Sequence, residues 1–184
     1  MNLKKRPCHI GNSMSTNTEK HGDEDVGAID LALDGIVLNA DELNSILGDG
    51  AHAALYVIPK ANGSDNALPE ARFPGIKPIE LKEHFEKARV ELWVGFEDDE
   101  QDRIGLSDAK VRRVKFTPGA GGLTSMSCSV RATPDDEVVS TLFNYLNHTA
   151  SVAIRNGKWA ESKSDKQKDL PLSESVEDEQ QPEA

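Results

Sequence analysis

Apolar and polar positions alternate most regularly between Lys110 and Ala132. The run K-V-R-R-V-K-F-T leads into P-G-A-G-G and then L-T-S-M-S-C-S-V-R-A. Two alternating segments around a glycine-rich turn predict a long antiparallel hairpin. Pairing Thr117 with Leu123 sets Arg112, Val114 and Phe116 on one face with Thr124, Met126, Cys128 and Val130. The other face takes Val111, Arg113, Lys115, Ser125, Ser127, Ser129 and Arg131. Side chains alternate across a strand, so one face is mostly apolar and the other is basic and hydroxylic.

Before the hairpin, Ile29, Leu31 and Leu33 alternate inward, and Asp34-Gly35 predicts a two-residue turn. Asn39 with Glu42 makes an N-x-x-E capping box ahead of Leu43, Ile46 and Leu47, which predicts a helix. Ala53–Ile58 reads as a strand or a continuing helix, and residues 59–78 as a long loop pinned by Phe73. Leu81, Phe85 and Ala88 at helical spacing predict a short helix over Ile79–Ala88. Val90, Leu92, Val94 and Phe96 form the inner face of a strand, with Trp93 outside. An acidic loop, Glu97–Asp102, follows.

Past the central hairpin, Thr133 as N-cap and Pro134 at the first helical position open a helix. Its inner face is predicted as Val138, Val139, Leu142, Phe143 and Leu146. Asn156-Gly157 then predicts a second hairpin in which Ile154 faces Trp159. The expected fold is α+β: an antiparallel sheet built from hairpins, with two or three helices packed on one face and disordered termini. The expected organisation is a disordered segment over 1–25, a single domain over 26–161 and a disordered acidic tail over 162–184, because both ends lack apolar periodicity. Met14 within the head offers a second translation start.

Charge changes this picture in one respect. The chain of 184 residues carries a formal charge of −11. Tight non-specific binding to duplex DNA draws on neutralised phosphates and is disfavoured for such a chain, whereas a local basic patch is not. Two cysteines, Cys8 and Cys128, are too few for a disulfide scaffold. Together with a basic start that no apolar run follows, they point to reduced thiols and a cytoplasmic location, the host cytoplasm if the protein is viral. No stretch has the length of a transmembrane helix.

Catalytic patterns are sparse. Cys128 on the apolar face reads as a buried core residue, with no histidine near it in sequence to act as base. His9, His21, His52, His84 and His148 show no metal-ligand spacing, and no C-x-x-C occurs, so neither a metal nor a cofactor is expected. Pro118–Gly122 lacks the G-K-[ST] of a phosphate loop, and Glu97–Asp102 lacks calcium-loop spacing. The expectation is therefore a non-enzymatic binding or adaptor protein that acts through a protein partner, with no membrane partner. Small size and dense polar ends suit a phage or mobile-element accessory protein.

The alternative is a single-stranded nucleic-acid binder. Arg113, Lys115, Ser125, Ser127 and Arg131 would hold phosphates, and Trp93 or Trp159 would stack bases. A domain of that kind followed by an acidic regulatory tail resembles, in layout only, single-strand-binding proteins. A second alternative is an acidic inhibitor occupying another protein's basic site. Its carboxylates should gather on one face, whereas here they are mixed with Lys and Arg along the body.

Overall fold

The structure, a computed structural model, describes residues 1–21, 24–59, 67–95 and 102–160. Its strands are β1 (Leu3–His21), β2 (Glu24–Leu38), β3 (Tyr56–Val57), β4 (Glu70–Ala71), β5 (Ile79–Glu80), β6 (Phe85–Val94), β7 (Asp102–Pro118), β8 (Thr124–Ala132), β9 (Thr149–Arg155) and β10 (Lys158–Trp159). The helices among the described residues are short: α1 (Ala40–Leu47), α2 (Ala51–Leu55) and α3 (Asp136–Asn144). The α+β expectation is thereby overturned. The chain is mostly β, and its core belongs to one eight-stranded antiparallel sheet in the order β10-β6-β9-β1-β2-β8-β7-β5.

That sheet closes on itself, because β6 pairs with β9 on one side and with β7 on the other. The ring β6-β9-β1-β2-β8-β7 is a six-stranded barrel. Strand β5 lies against β7 in nearly the register of β6, pairing Ile79 with Phe116 where Phe85 pairs with Val111. Strand β10 likewise continues β9 along β6: Arg155 pairs with Arg89 and Lys158 with Glu86. Closure pairs the ring strands on both sides, except that the tip of the β1–β2 hairpin, residues 17–21 with 24–28, pairs with neither β9 nor β8; one core runs through the interior.

Several expectations fail for one physical reason, the β-bulge, which inserts a residue and flips the alternation that follows. Along β7 the buried residues are Ile104, Leu106, Ala109, Val111, Val114 and Phe116, with steps of two and three. The extra residues fall at Asp108 and Arg113, both at positive φ. The central hairpin therefore pairs Thr117 with Ser125, not Leu123, and its register shifts between Arg112 and Lys115. Val111 turns inward and Arg112 outward, the reverse of expectation, while Val114 and Phe116 stay inside as predicted.

Asp34-Gly35 is not a turn but a bulge inside β2, between the pairs Leu33–Cys128 and Ile36–Met126. Asn156-Gly157 is a kink between β9 and β10, and Trp159 pairs with Phe85 instead of facing Ile154. There the Gly157 N–H donates to the Met1 carbonyl, and the Met1 amine donates to Gly157 O. The helix predicted over Ile79–Ala88 is instead β5 and the start of β6.

The head predicted as disordered is a barrel strand, with Leu3, Cys8 and Ile10 in the core. Register shifts between Leu3 and Arg6 and between Ile10 and Met14 break its alternation. The predicted acidic tail over 162–184, Phe96 of the predicted inner face and most of the acidic loop lie outside the described residues.

Helices plug both barrel ends. The Asn39–Glu42 capping box forms as predicted, and α1 buries Leu43 and Ile46. Behind it, α2 and β3 carry Tyr56 onto the β7–β8 turn, where its hydroxyl meets Leu123 O, Thr124 Oγ1 and Gly119 N–H. At the other end α3 starts at Asp136, with Asp135 and not Thr133 as N-cap, and buries Leu142. Phe143, expected inside, is 59% exposed. No helix among the described residues is long and apolar enough to cross a membrane.

Candidate nucleic-acid interface

The residues predicted for a single basic face divide between two halves of the barrel. Arg113, Lys115, Ser127 and Ser129 do come together, in a shallow recess of about 290 Å³ on the outside of β1, β2, β8 and β7. Ser13, Ser15, Asp30 and Asp34 share that recess and dilute its positive charge. Lys115 pairs with Glu80 at 3.5 Å. Arg131 binds Asp30 at 3.4 Å, where Arg112 and Asn17 also converge. Ser125 is exposed opposite Val37 and Thr117, outside the recess. Neither tryptophan lies there. Trp159 packs on Phe85 with ring centroids 4.2 Å apart.

Trp93 belongs to the opposite half, formed by β7, β6, β9 and the start of β1. Its alternation with Val90, Leu92 and Val94 is regular, so Arg89, Glu91 and Trp93 all project outward from β6. Glu91 is flanked by Gly105 on β7 and Ala153 on β9. These small neighbours leave room for three arginine side chains to lie across it. Arg103 of β7 hydrogen-bonds Oε1, Arg89 pairs with the same oxygen at 3.1 Å, and Arg155 of β9 stands 3.7 Å from Oε2. The result is a Glu91 side chain only 1% exposed beneath arginine side chains that are 55–61% exposed. The hydrogen bond from Arg103 holds its carboxyl below the ordinary glutamate range, and burial opposes this less strongly.

Two residues along, the Trp93 ring has Lys5 Nζ 4.7 Å and the Arg103 guanidinium 5.8 Å from its centroid. Both lie within cation–π range. The ring lines an open groove of about 730 Å³, with Leu3, Lys4, Lys5, Ala153 and Arg155, that runs toward Asp41 and Ser45 of α1. Glu42 at its edge is paired with Arg6 at 2.8 Å. Lys4, Lys5, Arg103 and Arg155 therefore lie around Trp93, with Arg89 beyond them on Glu91 and Asp41 at the rim.

Sequence reasoning found Trp93 but missed these five cations, which come from four strands. The sole local signal was Glu91 and Trp93 together on the polar side of V-E-L-W-V.

The thiols are core residues. Burial pushes both Cys8 and Cys128 up to about 12. Cys8 thus corrects the expectation of a thiol in a mobile head. No protein-family model, curated protein or solved structure matches the chain. The class the fold and this surface define is a closed antiparallel barrel with one cationic, aromatic outer face.

Proposed function

We propose that the protein is a non-enzymatic binding module for single-stranded nucleic acid, held on the outer face of β1, β9, β6 and β7. One observation carries the reading: Trp93 lies in an open groove among Lys4, Lys5, Arg103 and Arg155, on an otherwise acidic chain. A base has a π-face that can replace Lys5 over the indole, while the lysine and arginine heads take phosphates. The ligand is a single strand because both faces of a duplexed base are covered by its stacked neighbours and are not free to lie on the indole. The residues 162–184 hold an acidic excess that can compete for the same cations. Two buried, unbonded thiols accord with work inside a cell, and the small size suits an accessory protein of a phage or mobile element.

Anisotropy of a fluorescent oligothymidylate titrated at several salt concentrations tests this. Contact with three or four phosphates gives a slope of log K against log salt of about −2 to −3. Trp93→Ala should cost about 5- to 100-fold in affinity. Absence of binding at low salt removes the proposal. So does binding that depends on Arg113 and Lys115 but not on Trp93.

A second reading, a protein-binding adaptor, draws on Ile58, Leu68 and Phe73, which stay exposed around the β3–β4 pair. Partners lost from affinity capture by Ile58→Asp combined with Phe73→Asp support it, and unchanged partners count against it.

A further inference from the structure

The triad around Glu91 is over-supplied with positive charge. One buried carboxylate needs one well-placed cation, and Arg103 with Arg89 already engages Oε1. Oε2 makes no hydrogen bond, and Arg155 stands beside it at 3.7 Å. Two positive charges are thus left over at one point, on arginine side chains that are more than half exposed. Each comes from a different strand, β6, β7 or β9, and the rigid barrel fixes their spacing. Guanidinium forks suit phosphate because they present paired N–H donors in a plane.

The surplus matches a dianion better than a monoanion. An internal phosphodiester brings one negative charge and two free oxygens. A terminal phosphomonoester brings about −1.5 to −2 charges at pH 7 and three acceptor oxygens. Spacing along β6 fits as well. Trp93 is two residues beyond Glu91 on the same face, about 6.6–6.8 Å away. That is close to the reach from a nucleotide's phosphate to its own base. One nucleotide can therefore seat its phosphate on the triad while its base lies on the indole.

We infer that Arg89, Arg103 and Arg155 form the seat of a terminal phosphate monoester, so that the protein selects single strands with a phosphorylated end. The inference rests on the single-strand reading of the same face and names the feature of the strand it recognises.

Anisotropy titrations of the full chain test it, with an internally labelled oligothymidylate in three forms: unphosphorylated, 5′-phosphorylated and 3′-phosphorylated. At pH 7.5 one phosphorylated form should bind about 10-fold tighter than the unphosphorylated strand, the scale of one or two added charge-assisted hydrogen bonds. The preferred end gives the polarity of the bound strand. The second ionisation of the monoester has a pKa of about 6, so the preference should shrink toward 2- to 3-fold at pH 5.5. Arg155→Gln should abolish most of the preference while weakening the unphosphorylated strand only a few-fold.

Equal binding of all three strands by a protein that does bind them overturns the inference and leaves the single-strand reading intact. A preference unmoved by Arg155→Gln overturns it too. If no strand, phosphorylated or not, binds at low salt, the single-strand reading and the inference fall together.

Discussion

Replacing Tyr56 by Phe removes one oxygen from the plug at the α1–α2 end of the barrel, and its cost can be worked from the contacts. The hydroxyl donates to Leu123 O at 2.6 Å, lies 2.9 Å from Thr124 Oγ1 and accepts the Gly119 N–H at 3.1 Å. These partners do not suffer equally. The Gly119 N–H also reaches Leu123 O at 2.8 Å, so both groups keep a partner. The Thr124 hydroxyl, whose residue is wholly buried, loses the phenol. Stranding one buried hydroxyl costs about 1–3 kcal/mol, so Tyr56→Phe should destabilise by about 1.5–2 kcal/mol. The stacking of Tyr56 on His52, at 4.6 Å between centroids, remains. In urea denaturation with a slope near 2 kcal/mol/M, the midpoint should fall by about 0.7–1 M with the slope unchanged. Thr124→Val supplies the second arm, and the double variant should show a coupling of about 1 kcal/mol. A Phe variant within about 0.5 kcal/mol of wild type, or strictly additive losses, would falsify the assignment of that hydroxyl as the tie between plug and hairpin.

Three further outcomes are expected. Arg113 holds φ +50 at a bulge. Arg113→Gly should relieve about 1–2 kcal/mol of left-handed strain against about 0.5–1 kcal/mol of added chain entropy, for a melting temperature a few degrees higher by calorimetry. A lower melting temperature would show the backbone there to be unstrained. Both buried thiols should ignore Ellman's reagent at pH 8 in the native protein and react fully in urea; a fast native reaction would contradict their burial. The Glu91 carboxyl is held below its unfolded value by Arg103. Its contribution is complete above about pH 4.3 and fades as pH falls toward the lower folded value. Between pH 5 and 3, thermal unfolding of wild type should therefore lose more stability than Glu91→Gln does, and parallel curves would count against the pairing.

What could be read from the chain was local. The Asn39–Glu42 box and the inward set Val90, Leu92 and Val94 each rest on a few neighbouring residues, and both are present. What failed depended on partners far away. Asp34-Gly35 and Asn156-Gly157 each hold one residue at positive φ, Gly35 and Asn156, where a type I′ hairpin turn needs two; here they serve a bulge and a kink in strands that bend around a barrel. In β1, buried Leu3, Cys8 and Ile10 are separated by steps of five and two, which no alternation test registers. The candidate site is illegible for a related reason. Lys5, Arg103 and Arg155 meet over β6 only through the pairings β1–β9, β9–β6 and β6–β7, and nothing adjacent to Trp93 announces them.

Closure of the barrel also constrains where any ligand can bind. The interior is filled by core side chains, and helices cover both ends, so a macromolecule has only the outer face. On that face several cations are paired close by: Lys115 with Glu80, Arg6 with Glu42, and Arg131 and Arg112 with Asp30. Glu91 is different because three arginines share a single carboxylate. Removing it would release the side chains to water, where each would sample many rotamers and lose its common focus. A single buried acid that holds three bases half exposed thus lowers the net charge by one and fixes their direction. For an anion arriving at an acidic protein, that directed local field offsets the repulsion of the whole.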